Sequence, residues 1–226
     1  MEIQIPEGVL THKPIPVIIL VDVSGSMAGP GIQAANEGLR RFVDELKQDE
    51  ALRDSALLSL VTFSDDAKTL VEFVPASSVV APTPNVECST MLDQGIEEVM
   101  ALVRRNRDKM KGAKEPLFCL ITDGNPSTDR WRDKLNELND TDFIGKSPTS
   151  GRKTGFRLIC GAGTEIDESV LDAFRHDKEK SKSVRIDTVN SLNEFFEYLR
   201  TVTVQVSQGR NIPPPTGGNS LVWTGE

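Results

Sequence analysis

The sequence is poor in the residues that build disulfide frameworks and soft-metal sites. Its 226 residues include three cysteines and two histidines. Cys88, Cys119 and Cys160 are far apart and lack the short spacings of zinc sites. Cys119 and Cys160 stand inside apolar runs, which predicts buried free thiols of an intracellular protein. A disulfide scaffold and a cysteine-based metal site are therefore excluded as the basis of the fold.

Long apolar runs and an excess of positive charge are also missing. The longest run, residues 15–21, is interrupted by Pro16 and is too short to span a bilayer. The net charge is −8 without a long basic block, which argues against a general nucleic-acid binder. The first residues show no basic stretch followed by an apolar one, so no secretory signal is expected. We predict a cytoplasmic protein with neither a membrane nor a nucleic-acid partner.

Strand-like and helix-like segments alternate along most of the chain. The apolar run 17–21 predicts a buried strand, and apolar residues at helical spacing follow between Ile32 and Leu46. A short turn separates the strands predicted at 57–63 and 67–74, so the latter is expected to be an antiparallel edge strand. Further strands are predicted at 117–121, 156–160 and 184–186, and further helices at 92–103, 129–139, 168–174 and from about residue 191. The alternation predicts an α/β fold with a mostly parallel sheet between helices.

The length suits one domain, predicted over residues 1–210. Residues 211–226 contain Pro213-Pro214-Pro215 and Gly217-Gly218, which predicts an extended tail outside the core. Trp223 in this tail is either inert, folded back onto the domain, or an anchor for a partner.

Oxygen-bearing side chains follow the first strand directly, in the order Asp22-Val23-Ser24-Gly25-Ser26. Thr90 precedes a predicted helix and Asp123 ends a predicted strand, so both are expected at the same carboxyl edge of the sheet. The motif after the first strand supplies one carboxylate and two hydroxyls, and Thr90 and Asp123 add a third hydroxyl and a second carboxylate. Together these oxygens form a hard donor set that suits Mg²⁺ or Mn²⁺. Because only two of these donors are carboxylates, a bound ion would keep open coordination positions for an acidic group of another molecule.

The same residues argue against catalysis, and we expect the protein not to be an enzyme. No histidine, lysine or third carboxylate in these loops offers a general base. A phosphotransferase of the haloacid dehalogenase type would need an aspartate where Ser24 stands. The first glycine of a serine-hydrolase elbow is absent, and no phosphate-binding P-loop motif occurs.

The Asp22–Ser26 motif, Thr90 and Asp123 resemble the metal-ion-dependent adhesion site (MIDAS) of von Willebrand factor A (VWA) domains in order and spacing. The resemblance covers residues 16–208 and implies a doubly wound, Rossmann-like sheet. It implies Mg²⁺ or Mn²⁺ as cofactor, bound directly by Ser24 and Ser26, with Thr90 bound directly or through water. Asp22 and Asp123 would act largely through water and hydrogen bonds. An Asp or Glu of a protein partner would complete the coordination.

Other segments resemble the bacterial tellurite-resistance TerY-type branch of that family. They are Met27–Leu39, Asp123–Pro126 with Trp131, and the last helix from Phe195–Tyr198 towards Val206-Ser207-Gln208. Cys88-Ser89 replaces the Gly-Gly common there. The branch implies a stress or tellurite-resistance function with a protein kinase or phosphatase as partner. Two alternatives remain open: a structural VWA domain with an unused metal site, and a Mg²⁺-dependent phosphotransferase.

Overall fold

The structure, a computed structural model, describes residues 13–123, 125–162, 166–177, 179–186, 191–214 and the strand at 221–224. Its strands are β1 (Ile15–Asp22), β2 (Ala56–Phe63), β3 (Ala67–Pro75), β4 (Leu117–Thr122), β5 (Phe156–Ala162), β6 (Ser181–Ile186) and β7 (Leu221–Thr224). Its α-helices are α1 (Pro30–Gln48), α2 (Leu92–Arg105), α3 (Arg107–Met110), α4 (Trp131–Asn139), α5 (Glu168–Phe174) and α6 (Leu192–Ser207). Among these helices, none is both long and apolar enough to cross a membrane.

All seven strands form one sheet in the order β3-β2-β1-β4-β5-β6-β7. The strands from β2 to β6 in this order pair in parallel, and β3 pairs antiparallel with β2. The predicted α/β class, the mostly parallel doubly wound sheet and the antiparallel edge strand at β3 are therefore confirmed. From β1 the chain first builds outward through β2 and β3, and then returns to β4 on the other side of β1. This reversal creates a topological switch point between β1 and β4, where α/β proteins bind ligands.

Helices cover both faces of the sheet because its central strands are apolar on both faces. Ile19 of β1 belongs to a core cluster with side chains of α1 and α6. Ile18 and Leu20 point the opposite way, into a cluster with side chains of α2, α4 and α5. Successive side chains of a strand alternate between faces, which explains why β1 and β4 are buried throughout.

Helices α1 and α6 approach each other closely on the first of these faces. A Cβ atom at Gly38 would lie 2.2 Å from Cδ2 of Phe196, so the glycine makes room for this ring. The aromatic rings of Phe42 and Phe196 then pack with their centroids 6.3 Å apart. This packing holds α6 against α1.

The end of the chain joins the sheet, which the sequence analysis did not predict. Strand β7 pairs antiparallel with β6, so the sheet has an antiparallel strand at each edge. Ile212 is buried in the core beside α6, and the Tyr198 hydroxyl donates a hydrogen bond to the Pro213 carbonyl at 2.6 Å. Part of the segment expected to be an extended tail outside the core is therefore integrated with the domain. The side chain of Trp223 lies outside the described part of the structure.

Candidate metal centre

Asp22 ends β1 and is fully buried at the switch point. Its Oδ1 accepts a hydrogen bond from the Ser24 backbone N–H at 2.9 Å, and its Oδ2 accepts one from the Thr122 hydroxyl at 2.6 Å. Burial raises the pKa of Asp22 to about 6, although hydrogen bonds from Ser24 and Thr122 act in the opposite direction. Both carboxylate oxygens are thus held in place by the protein.

The side chains of Ser24, Ser26 and Asp123 form a continuous hydrogen-bonded chain. The Ser26 hydroxyl donates to Oδ1 of Asp123 at 2.8 Å, and the Ser24 and Ser26 hydroxyl oxygens lie 3.0 Å apart. A serine hydroxyl has one proton, so Ser24 must be the donor to Ser26 when Ser26 donates to Asp123. Both hydroxyls keep lone pairs, which are the groups that a cation would bind.

Thr90 lies in the loop before α2 and is 9% exposed. Its loop is tied to the motif loop by a hydrogen bond from the Gly25 N–H to the Cys88 carbonyl at 3.2 Å. It is tied to the loop after β4 by two hydrogen bonds. The Ser127 N–H donates to the Thr90 carbonyl at 3.0 Å, and the Thr90 N–H donates to the Ser127 hydroxyl at 3.2 Å. The three loops therefore form one connected surface.

The structure thus brings the predicted site residues together at one sheet edge. Hydrogen bonds link Ser24, Ser26 and Asp123, and Asp22 adjoins this chain through the Ser24 backbone. Thr90 is positioned by its loop rather than by a hydrogen bond to the other four side chains. That these five residues bind a metal stays a prediction.

The donor set fits a hard divalent cation. Every candidate donor is an oxygen, and no group of three or more His, Cys, Asp or Glu side chains in the described residues offers an alternative centre. Burial raises the pKa of Asp123 as well as that of Asp22, and no basic side chain contributes to either shift. Two carboxylates in a partly dry environment without a positive neighbour lack a counter-charge, which a bound cation would supply.

Sequence reasoning missed two residues that shape this site. Thr122 lies one residue beyond the strand predicted at 117–121, and its hydroxyl beside the switch point was a usable signal. Asp65 belongs to the turn between β2 and β3, and its Oδ1 accepts a hydrogen bond from the Ser89 N–H at 3.1 Å. A hydrogen bond from the Ser89 side chain lowers the pKa of Asp65. Asp65 therefore supports the loop that carries Thr90.

The cysteines take the positions that the sequence predicted. Cys119 and Cys160 are buried free thiols on the neighbouring strands β4 and β5, and burial raises the pKa of both. Protonated thiols of this kind are poor nucleophiles and poor metal ligands. Cys88 is exposed beside the motif loop.

Comparison with known proteins gives one family. The model of the von Willebrand factor type A domain matches residues 17–198. Inter-alpha-trypsin inhibitor heavy chain H3 of Mus musculus is 27% identical over 150 residues, which are 62% of this chain and 16% of that protein. Heavy chain H4 of Homo sapiens is 28% identical over 178 residues, which are 74% of this chain and 18% of that protein. The chain thus spans less than a fifth of the length of these relatives.

One solved structure with the same fold is described with a zinc-occupied MIDAS motif. Proximal thread matrix protein 1 from the mussel byssus, with a zinc-occupied MIDAS motif, superimposes with a TM-score of 0.59 at 16% identity. The superposition covers 85% of this chain and 46% of that one. At this identity the likeness shows the fold alone.

Proposed function

The chain belongs to the von Willebrand factor type A family, and from this premise we propose that it is a metal-dependent protein-interaction module. One Mg²⁺ or Mn²⁺ binds at the carboxyl edge of the sheet, and an Asp or Glu of a partner protein completes its coordination. Asp22, Ser24, Ser26, Thr90 and Asp123 hold the ion. When bound, the ion supplies a Lewis-acidic position that is open to a carboxylate.

The observation that carries this proposal is the hydrogen-bonded chain through Ser24, Ser26 and Asp123 next to the buried Asp22. Each hydroxyl donates its proton toward a carboxylate or another hydroxyl, which leaves oxygen lone pairs free for a cation. Ser26 is exposed and Asp123 is half-buried, whereas Asp22 and Ser24 are buried. The arrangement is therefore accessible at Ser26 and Asp123, where a partner can approach.

The protein is proposed to bind rather than to catalyse. Asp22 cannot act as a freely accessible base, since both of its oxygens accept hydrogen bonds and the residue is fully buried. Asp123 already accepts a hydrogen bond from the Ser26 hydroxyl. A Mg²⁺-dependent phosphotransferase therefore remains the weaker alternative, and a structural domain with an unused site is the stronger one.

The cellular context is a separate part of the hypothesis. The resemblance to the tellurite-resistance branch motivates a stress function in the cytoplasm, with a protein kinase or phosphatase as partner. The heavy-chain relatives do not support this branch. In either setting the proposed partner presents an acidic side chain to the metal.

Titration calorimetry of chelator-treated protein with Mn²⁺ and Mg²⁺ tests the metal site. We expect one ion per chain for the wild type and no measurable binding for Ser26→Ala combined with Asp123→Ala. Asp44→Ala is the matched control, because Asp44 is an exposed carboxylate on α1 that pairs with Arg40. Equal binding by the wild type and the double variant would contradict the site assignment.

Affinity capture from cell extract then separates an interaction module from an unused site. A protein that is retained by the wild type in Mg²⁺, released by chelator and not retained by the double variant supports the module. Metal binding without any such metal-dependent partner would favour the structural domain.

A further inference from the structure

Thr122 holds the most deeply buried carboxylate of the site from the neighbouring strand. The last pair in the register of β1 and β4 is Val21 with Ile121, so Asp22 and Thr122 follow side by side at the carboxyl ends. Thr122 is 1% exposed, and its hydroxyl donates a hydrogen bond to Oδ2 of Asp22 at 2.6 Å. The contact joins residues that are 100 positions apart in sequence.

This hydrogen bond complements the one from the Ser24 backbone. The Ser24 N–H donates to Oδ1 and the Thr122 hydroxyl donates to Oδ2, so each carboxylate oxygen is held by its own donor. A carboxylate group held at one oxygen can still rotate about its bond to Cβ, whereas one held at both oxygens cannot. Each oxygen keeps a further lone pair, which remains available to a cation or to its water ligands.

We propose that Thr122 is a positioning residue of the metal site, which fixes the plane of the Asp22 carboxylate so that its free lone pairs face the cation. The inference rests on the proposed function, because it assigns a supporting residue to the same site. Threonine suits this place for two reasons: its branched side chain fits a buried strand, and its hydroxyl supplies the donor. Valine would retain the shape and lose the donor.

The test compares three variants of the full chain by Mn²⁺ titration. Partners that orient metal ligands typically contribute about 10–100-fold to metal affinity, and we expect a loss of this size for Thr122→Val. Thr122→Ser keeps the hydroxyl and should bind Mn²⁺ with the wild-type affinity. Thr203→Val is the matched control, since Thr203 is also fully buried and donates to the Leu199 carbonyl at 2.8 Å, far from the site in α6.

The Mn²⁺ affinities of the folded variants distinguish a positioning role of Thr122 from a merely structural one. A structural role would lower the melting temperature of Thr122→Val in chelator but leave its Mn²⁺ affinity unchanged, and this result would overturn the inference. If Thr122→Val fails to fold, Thr122→Ala with Thr122→Ser provides the same comparison. If the wild type and Thr122→Val bind Mn²⁺ with the same affinity, only the positioning role is rejected. If the wild type does not bind Mn²⁺, the metal site itself is rejected.

Discussion

A single residue, Asp22, shows how a buried charge can conflict with the stability of the protein. The chain buries this carboxylate completely and provides two hydrogen bonds but no cation. Its pKa is raised from 3.8 to about 6, which corresponds to roughly 3 kcal/mol against the charged form. The residue is therefore costly in the absence of metal, and its retention is easiest to understand if a cation compensates the charge.

Asp22→Asn tests this conflict. The amide oxygen can accept from the Ser24 N–H and the amide nitrogen can donate to the Thr122 oxygen, so the shape and both contacts are retained without the buried charge. In chelator at pH 7 we expect the variant to melt at or above the wild-type temperature. Added Mn²⁺ should raise the melting temperature of the wild type but not that of the variant.

Differential scanning calorimetry measures both effects, and Asp44→Ala again provides the exposed-carboxylate control. A clear loss of stability for Asp22→Asn in chelator would show that the charge itself supports the fold. In that case the site would be a structural element rather than a binding site.

The residue scale also shows what sequence could and could not predict of the site. Four of the five candidate donors follow from their positions after apolar strands, because parallel strands deliver their carboxyl ends to one edge, and Thr90 follows from its position before a helix. Thr122 could not be assigned in the same way, because its role depends on the register of β4 against β1. Strand register depends on how the whole faces of the sheet pack, so it cannot be inferred from the local sequence pattern.

At the scale of elements, a buried histidine joins the segments around β5 and β6. His176 Nε2 lies 3.0 Å from the Thr154 carbonyl, and Nδ1 lies 2.8 Å from the Ser181 hydroxyl. A carbonyl can only accept, so Nε2 carries the proton and Nδ1 accepts from Ser181. Burial, together with the nearby positive charge of Arg157, lowers the pKa of His176 to about 4.

This shift predicts a loss of stability in mild acid. In the unfolded chain the histidine takes up a proton near pH 6.5, whereas in the folded chain it does so near pH 4. The unfolded state therefore binds more protons between these values. The contribution of neutral His176 is fully present above pH 6.5 and is lost as the pH falls toward 4, by up to about 3 kcal/mol.

Urea unfolding at pH 7.5 and pH 5 measures this dependence for the wild type and for His176→Gln. Glutamine does not titrate, so the variant should lose less stability between the two pH values, even if it is less stable at pH 7.5. Identical losses for the two proteins would show that other groups cause the acid sensitivity.

The elements themselves were largely predictable, and the exceptions are the four-residue helix α3 and strand β7. Helix α5 has the predicted bounds, and β1 to β6 differ from prediction by a few residues, because apolar periodicity dominates in buried segments. Strand β7 has only four residues and follows a segment rich in proline and glycine. A strand this short is specified by the free edge of β6 rather than by its own pattern.

At the scale of the whole molecule, the question is whether the last residues belong to the folding unit. The family model ends at residue 198, whereas the structure continues with the buried Ile212, the hydrogen bond between Tyr198 and Pro213, and the pairing of β7 with β6. These contacts connect α6 with the far edge of the sheet. We therefore expect the end of the chain to stabilise the domain and not merely to extend from it.

Two truncations of the whole chain separate these contributions. Truncation after Gln208 removes Ile212, Pro213 and β7, and leaves the buried Tyr198 hydroxyl without its Pro213 acceptor. Loss of a buried large aliphatic side chain costs about 2–5 kcal/mol, and loss of one hydrogen bond adds about 0.5–1.5 kcal/mol. The melting temperature should therefore fall by at least about 5 °C. Truncation after Pro214 keeps Ile212 and the Tyr198 contact, so its smaller loss measures the contribution of residues 215–226, which include β7. If both truncated proteins melt at the wild-type temperature, the segment does not stabilise the domain. A metal-dependent partner retained by the wild type and lost by both would then assign the segment to partner binding.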